Sequence, residues 1–84
     1  MKNKIKIITN LDGKFYFKDN KLHREDGPAI EYPDGSKKWF KNDELHREDG
    51  PAIEFLNGHK EWWKNGKFHR KDGPAVITPD GHKA

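Results

Sequence analysis

Apolar residues in this chain come in bursts of two or three, separated by Gly, Pro, Asn and Asp. That rhythm is too short for an amphipathic helix and suits short strands joined by turns. Asp34-Gly35, Asn57-Gly58, Asn65-Gly66 and Asn42-Asp43 are turn dipeptides. Between them lie β-prone stretches such as Lys37–Lys41 and Ala52–Phe55. Near the start, Ile5 and Ile7 alternate against Lys4 and Lys6, which predicts an opening strand over 4–9. Six further strands are expected over 14–18, 28–32, 37–41, 51–55, 60–64 and 74–78. The predicted fold is all-β: an antiparallel meander, or small open roll, of about seven short strands.

The pattern repeats. His23-Arg24-Glu25-Asp26-Gly27-Pro28-Ala29 recurs as His46-Arg47-Glu48-Asp49-Gly50-Pro51-Ala52 and as His69-Arg70-Lys71-Asp72-Gly73-Pro74-Ala75, at an offset of 23 residues. The same offset links Tyr16, Trp39 and Trp62, then Phe17, Phe40 and Trp63. Three hairpin repeats, about 12–33, 34–56 and 57–79, therefore make up a single domain over 1–84, and the opening strand lacks a His-Arg loop.

Composition sharpens this picture. At 84 residues, 31% hydrophobic and 37% charged, the chain leans toward disorder on bulk measures. Its aromatic content of 12%, at recurring positions, argues for a thin core built from large rings. There is no Cys, so neither disulfides nor thiolate metal sites can staple the fold. No apolar run approaches a membrane span, and no apolar segment follows the basic Met1–Lys4 start, so a cytosolic protein is expected. A net charge of +3 is mildly basic and compatible with an anionic partner.

The segment Trp62 to His69, Trp-x-x-Asn-Gly-Lys-x-His, resembles a MORN-type repeat. More closely, the chain resembles the variant whose copies carry His-Arg-x-Asp-Gly-Pro-Ala, found in bacteria, phages and giant viruses. The resemblance covers residues 14–81 and departs from ordinary MORN units, which carry a shorter His-Gly-x-Gly at this point. It implies an elongated meandering sheet with interaction or scaffold roles, and no catalytic residue.

Side-chain alternation gives the sheet two different faces. Phe17, Phe40 and Trp63, with Ile30, Ile53 and Val76, are expected in the core. The opposite face repeats Lys-x-aromatic-x-Lys: Lys14, Tyr16 and Lys18; Lys37, Trp39 and Lys41; Lys60, Trp62 and Lys64. Lysines interleaved with rings suit single-stranded nucleic acid, because bases stack on the rings while ammonium groups hold phosphates. The competing reading makes these rings core, with lysines reaching past them into water. A protein docking on the rings is a third.

The His-Arg-x-Asp loops suggest acid–base chemistry or a metal site at first sight. Equivalent residues two strands apart would be about 9.6 Å from one another, too far to share one zinc. An active site also needs one constellation rather than three copies. Asp26, Asp49 and Asp72 are thus expected to close their turns, with Arg24, Arg47 and Arg70 pairing with them or projecting as a ladder that contacts a ligand. His59 and His82 follow Gly58 and Gly81 in equivalent turns, with no role assigned.

The functional expectation is a non-catalytic binder of nucleic acid, RNA first, acting as a homodimer that covers open sheet edges, with no cofactor or metal. Size and repeat type fit a phage-type protein that masks or inhibits a host factor. A protein–protein interaction module is the alternative, and a small metal-free nuclease or lyase using one His-Arg-Asp set is the second.

Overall fold

The structure, a computed structural model, describes residues 4–80. It is all-β and antiparallel. The main sheet runs in chain order through β1 (Ile5–Asn10), β2 (Gly13–Lys18), β4 (Ile30–Glu31), β5 (Lys37–Lys38), β8 (Ile53–Glu54), β9 (Lys60–Glu61) and β12 (Val76–Ile77). Each of the seven expected strands contributes one strand to this path. Five more strands hang from it. β3 (Lys21–Leu22) pairs with the second half of β2, β6 (Phe40–Lys41) with β7 (Glu44–Leu45), and β10 (Trp63–Lys64) with β11 (Lys67–Phe68).

The single strands expected over 37–41 and 60–64 are therefore each two strands, and the cause is a change of partner at one residue. The Trp39 amide donates to the Ala52 carbonyl (2.7 Å), continuing the pairing of β5 with β8. The Trp39 carbonyl accepts from the His46 amide (3.1 Å), opening the pairing of β6 with β7. Residues 46–52 leave the partner strand and return to it, both ends fixed to Trp39. Trp62 does the same with Ala75 and His69, and Tyr16 with Ala29 and His23. β2 stays continuous across Tyr16 because β1 pairs along its whole length, from Ile5–Lys18 to Asn10–Gly13.

The side hairpins close on two-residue turns. Asp19-Asn20, Asn42-Asp43 and Asn65-Gly66 all have positive φ, the type I′ pattern whose twist matches that of the flanking strands. Asn and Asp tolerate that region better than other side-chain-bearing residues. Each turn also reaches back to the unit before it. The Asp43 amide donates to the Leu22 carbonyl (2.9 Å) and its carboxylate accepts from the Leu22 amide (2.6 Å). Gly66 donates to Leu45 (3.0 Å). In the first unit the first turn residue, Asp19, makes both bonds to Lys4, so the opening strand covers the side of the hairpin that preceding units cover later. The opening strand is thus a cap for the first repeat.

Apolar burial is sparse. Ala29, Ile30, Ala52 and Ile53 are the buried apolar residues among those described. Burying Ile30 and Ile53 contributes roughly 1.5–3 kcal/mol each. Val76 and the rings Phe17, Phe40 and Trp63, expected in the core, are half-buried. The rings face Leu22, Leu45 and Phe68 across their hairpins, with Trp63 and Phe68 centroids 4.0 Å apart. A slab 43 × 28 × 16 Å leaves no depth for a second covering layer.

Gly13 turns the chain from β1 into β2 at φ +134°, and a Cβ there would lie 2.5 Å from the Glu31 carbonyl oxygen. Both the dihedral and the backbone contact oppose any side chain. Gly13→Ala is expected to destabilise the fold by about 2 kcal/mol or more in urea denaturation; a loss within about 0.5 kcal/mol would contradict this packing.

Candidate functional site

The loops 23–29, 46–52 and 69–75 share one construction. Because both ends are tied to the aromatic residue, the arginine eight positions after that residue falls back over its ring. Arg24 lies 3.9 Å from the Tyr16 centroid, Arg47 3.8 Å from that of Trp39, and Arg70 3.8 Å from that of Trp62. The guanidinium then closes the loop internally. Arg47 donates from Nε to Asp49 (3.1 Å) and from Nη1 to the Pro51 carbonyl (3.0 Å) and Glu54 (2.8 Å). Arg24 repeats this with Asp26, Pro28 and Glu31. Burial disfavours the charge on Arg24, but the bonds to Asp26 and Glu31 outweigh it and raise its pKa further.

Gly27 and Gly50 complete the arrangement. A Cβ at either would lie 2.9 Å from the guanidinium carbon of Arg24 or Arg47. Their role is to leave room for the arginine, since neither has a positive φ.

Of the two arrangements expected for the loop arginines, pairing with the Asp residues is the one seen in the first two units. Asp26 and Asp49 hold the arginine Nε rather than backbone amides of their own turn. In the third unit Ile77 stands where Glu31 and Glu54 stand, and Arg70 bonds only the Pro74 carbonyl among the described residues.

The histidines serve the contact between units. His23 Nδ1 accepts from the Asn42 amide (3.1 Å) and His46 Nδ1 from the Asn65 amide (3.0 Å). That places the proton of each neutral ring on Nε2. His46 Nε2 is then 2.6 Å from Glu48 and donates to it, whereas His23 Nε2 is buried without a hydrogen-bond partner, 3.5 Å from Glu25. The His46 bond, aided by Lys64, holds the Glu48 carboxyl below its ordinary range. Arg24 and Arg47 add backbone bonds from their amides to the carbonyls of Phe40 and Trp63 in the next unit. With Nδ1 occupied, neither His23 nor His46 is free to ligate through it, and no three His, Asp or Glu side chains among those described converge as a metal site. His82 lies outside the described residues.

The sequence-predicted Lys–aromatic stripe is brought together only in part. Lys14, Tyr16 and Lys18 share one face of β2. Lys37 and Lys41, like Lys60 and Lys64, belong to different sheets on either side of the partner switch. The row Lys14, Lys37 and Lys60 is interleaved with glutamates: Lys14 faces Glu31, Glu31 faces Lys37, Lys37 faces Glu54, and Glu54 faces Lys60. Lys18 and Lys64 approach Glu25 and Glu48, both at 3.6 Å. The expected basic face of lysines and rings therefore carries alternating charge along this row. The expected open rings lie under arginines, so a base could stack on that face of each ring only after lifting the guanidinium away.

Clefts of about 690, 420 and 400 Å³ open along the loops, beside Trp39, Trp62 and Tyr16 respectively. The third also contains Ile5 and Ile7 of the cap. Sequence reasoning passed over several exposed apolar side chains, including Ile5, Ile7, Leu11, Leu56 and Phe68. The alternation of Ile5 and Ile7 was the available signal for two of them. Comparison with protein-family models, curated proteins and solved structures finds no match for this chain.

The difference between Arg47 and Arg70 generates a test. Lysine keeps the charge but cannot bridge a carboxylate, a carbonyl and a second carboxylate from a planar fork. Arg47→Lys is expected to cost about 1.5–3 kcal/mol, after allowing for partial solvent screening, and Arg70→Lys under about 1 kcal/mol. Equal costs in urea denaturation would contradict the assigned bonds.

Proposed function

We propose that this chain is a non-catalytic interaction module whose partner is a protein. The observation that supports it is the division of labour among side chains. The groups suited to nucleic acid are occupied internally: arginines cover the three rings, and carboxylates stand between the lysines of the sheet face. Apolar side chains, by contrast, face solvent at both ends of the sheet and at a turn. Ile5 is 64% exposed, Leu56 71% and Phe68 53%. Ile5 and Ile7 line one cleft together while both are more than half exposed, and adjoining exposed apolar side chains mark interaction surfaces. The partner can be a second copy of the chain or a different protein.

Nucleic-acid binding is the second reading, favoured by the net charge of +3. On that reading the exposed lysines Lys37, Lys41, Lys60 and Lys64 carry phosphate contacts. Salt separates the two, because phosphate contacts release counterions and weaken steeply as salt rises. Affinity capture on the intact chain from producing cells, after nuclease treatment and in 0.5 M salt as an assay condition, is expected to retain a protein partner. Ile5→Asp/Ile7→Asp or Leu56→Asp should release that partner, since charge on an apolar contact is strongly disfavoured. Recovery of RNA alone without nuclease, lost in high salt and unaffected by these variants, would replace this reading with the second.

A further inference from the structure

The main sheet brings one residue of each strand into a single row. Phe15 faces Ile30, Ile30 faces Lys38, Lys38 faces Ile53, Ile53 faces Glu61 and Glu61 faces Val76. Residues directly opposite one another in a ladder share a face, so this row lies on the side away from Lys14, Lys37 and Lys60. Tyr32 and Phe55, two residues beyond Ile30 and Ile53, stand on the same face. Ile30 and Ile53 are buried in its floor, but Phe15, Tyr32 and Val76 are half-buried and Phe55 is 37% exposed. A sheet face normally packs against a second layer, and a slab 16 Å thick contains none.

Two charges interrupt this apolar row, and they do not meet. Lys38 and Glu61 are two strands apart, about 9.6 Å, with Ile53 between them. The Lys38 ammonium lies over the rings of Tyr32 (5.5 Å) and Phe55 (5.8 Å) and has no carboxylate partner among the described residues. Glu61 is held in place by His59 Nε2 (2.7 Å) and Trp63 Nε1 (2.8 Å). On the other face, by contrast, each lysine of the row has a glutamate on a neighbouring strand.

We propose that a second copy of the chain docks on this face, around a two-fold axis that runs parallel to the strands and passes over Ile53. Rotation about that axis exchanges the strands on either side of β8. Lys38 of each copy then meets Glu61 of the other, Ile30 meets Val76, and Ile53 and Phe55 meet their own counterparts. Apolar positions match apolar ones, and the two stranded charges form two ion pairs. Shifting the axis by one strand sets Lys38 or Glu61 against itself, and an axis along the row does so to both. The register is therefore fixed by repulsion as well as attraction. Two sheets packed about 10 Å apart with aligned strands bring such facing side chains together. A self-matching row is what an isologous contact requires, and a different protein would have no need of it. This dimer is additional to the partner read from Ile5 and Ile7. Those residues pair with Lys18 and Tyr16 and lie on the opposite face, so either contact can hold without the other.

Sedimentation of the intact chain across a concentration series tests the dimer, using the parent, Lys38→Glu and Glu61→Lys. The parent is expected to dimerise. Each variant alone sets like charges together at both contacts and should weaken the dimer at least about tenfold. Mixed in equal amounts, the two variants re-form both ion pairs with reversed polarity and should recover dimers containing one chain of each. If circular dichroism shows that either variant does not fold, Phe55→Cys takes its place. In a chain with no cysteine of its own, this thiol lies beside the axis and should be linked to its copy by a short bismaleimide. Leu11→Cys, about seven strand spacings from its copy, should not be linked. The interface is overturned by a parent that stays monomeric, by single variants that dimerise like the parent, or by folded variants that gain nothing on mixing. Equal linking of Phe55→Cys and Leu11→Cys overturns it too. A monomeric parent that still captures a salt-resistant protein partner would remove the dimer and leave the functional reading standing.

Discussion

A sheet only one layer deep, with two isoleucines and two alanines as the buried apolar residues among those described, needs some other means of ordering seven-residue loops. The arginine laid over the ring of Tyr16, Trp39 or Trp62 provides it. Ordering such a loop costs roughly 1–2 kcal/mol of backbone entropy per residue. Against that cost stand the two backbone bonds at the aromatic residue, the ring–cation contact and the arginine's own bonds. Partly exposed ion pairs contribute modestly one by one. Here they converge on a single rigid fork, so one ordered side chain satisfies an Asp, a proline carbonyl and a Glu together in the first two units.

The loop motif can be understood from this one interaction. Asp two residues after Arg takes Nε, and the following Gly leaves room for the guanidinium. The proline offers its carbonyl, and the buried alanine carbonyl returns to the aromatic amide. Histidine, just before Arg, faces the other way and receives an amide from the next turn. Within-unit closure and between-unit stacking thus use adjacent residues of the same short segment. This explains why so few apolar groups suffice.

Much of the fold was legible. The seven-strand path and the turn at Asn65-Gly66 follow from period-two alternation and turn chemistry, and β1 from Ile5 and Ile7 against Lys4 and Lys6. The side hairpins were not, because β7 and β11 consist of Glu44–Leu45 and Lys67–Phe68, two residues with no periodicity to read. The face assigned to Lys37, Trp39 and Lys41 assumed an unbroken strand. That assumption failed where Trp39 exchanges one partner for another. The constant spacing from Tyr16 to Arg24, Trp39 to Arg47 and Trp62 to Arg70 was visible in the sequence. Its meaning depended on the loop returning to the residue it left.

The claim that the guanidinium dictates the glycine is tested by a double-mutant cycle on Arg47 and Gly50, read as unfolding free energy in urea. Gly50→Ala places a Cβ 2.9 Å from the Arg47 guanidinium carbon, so in the parent chain it should destabilise by about 1–3 kcal/mol. With Arg47→Ala already present the space is free. The same substitution should then be neutral, or stabilising by up to about 1 kcal/mol through the reduced entropy of the unfolded chain. A coupling of at least about 1 kcal/mol is the predicted result. An equal cost of Gly50→Ala in both backgrounds would show that the glycine answers to the backbone, and that the arginine stack is not what organises the loop.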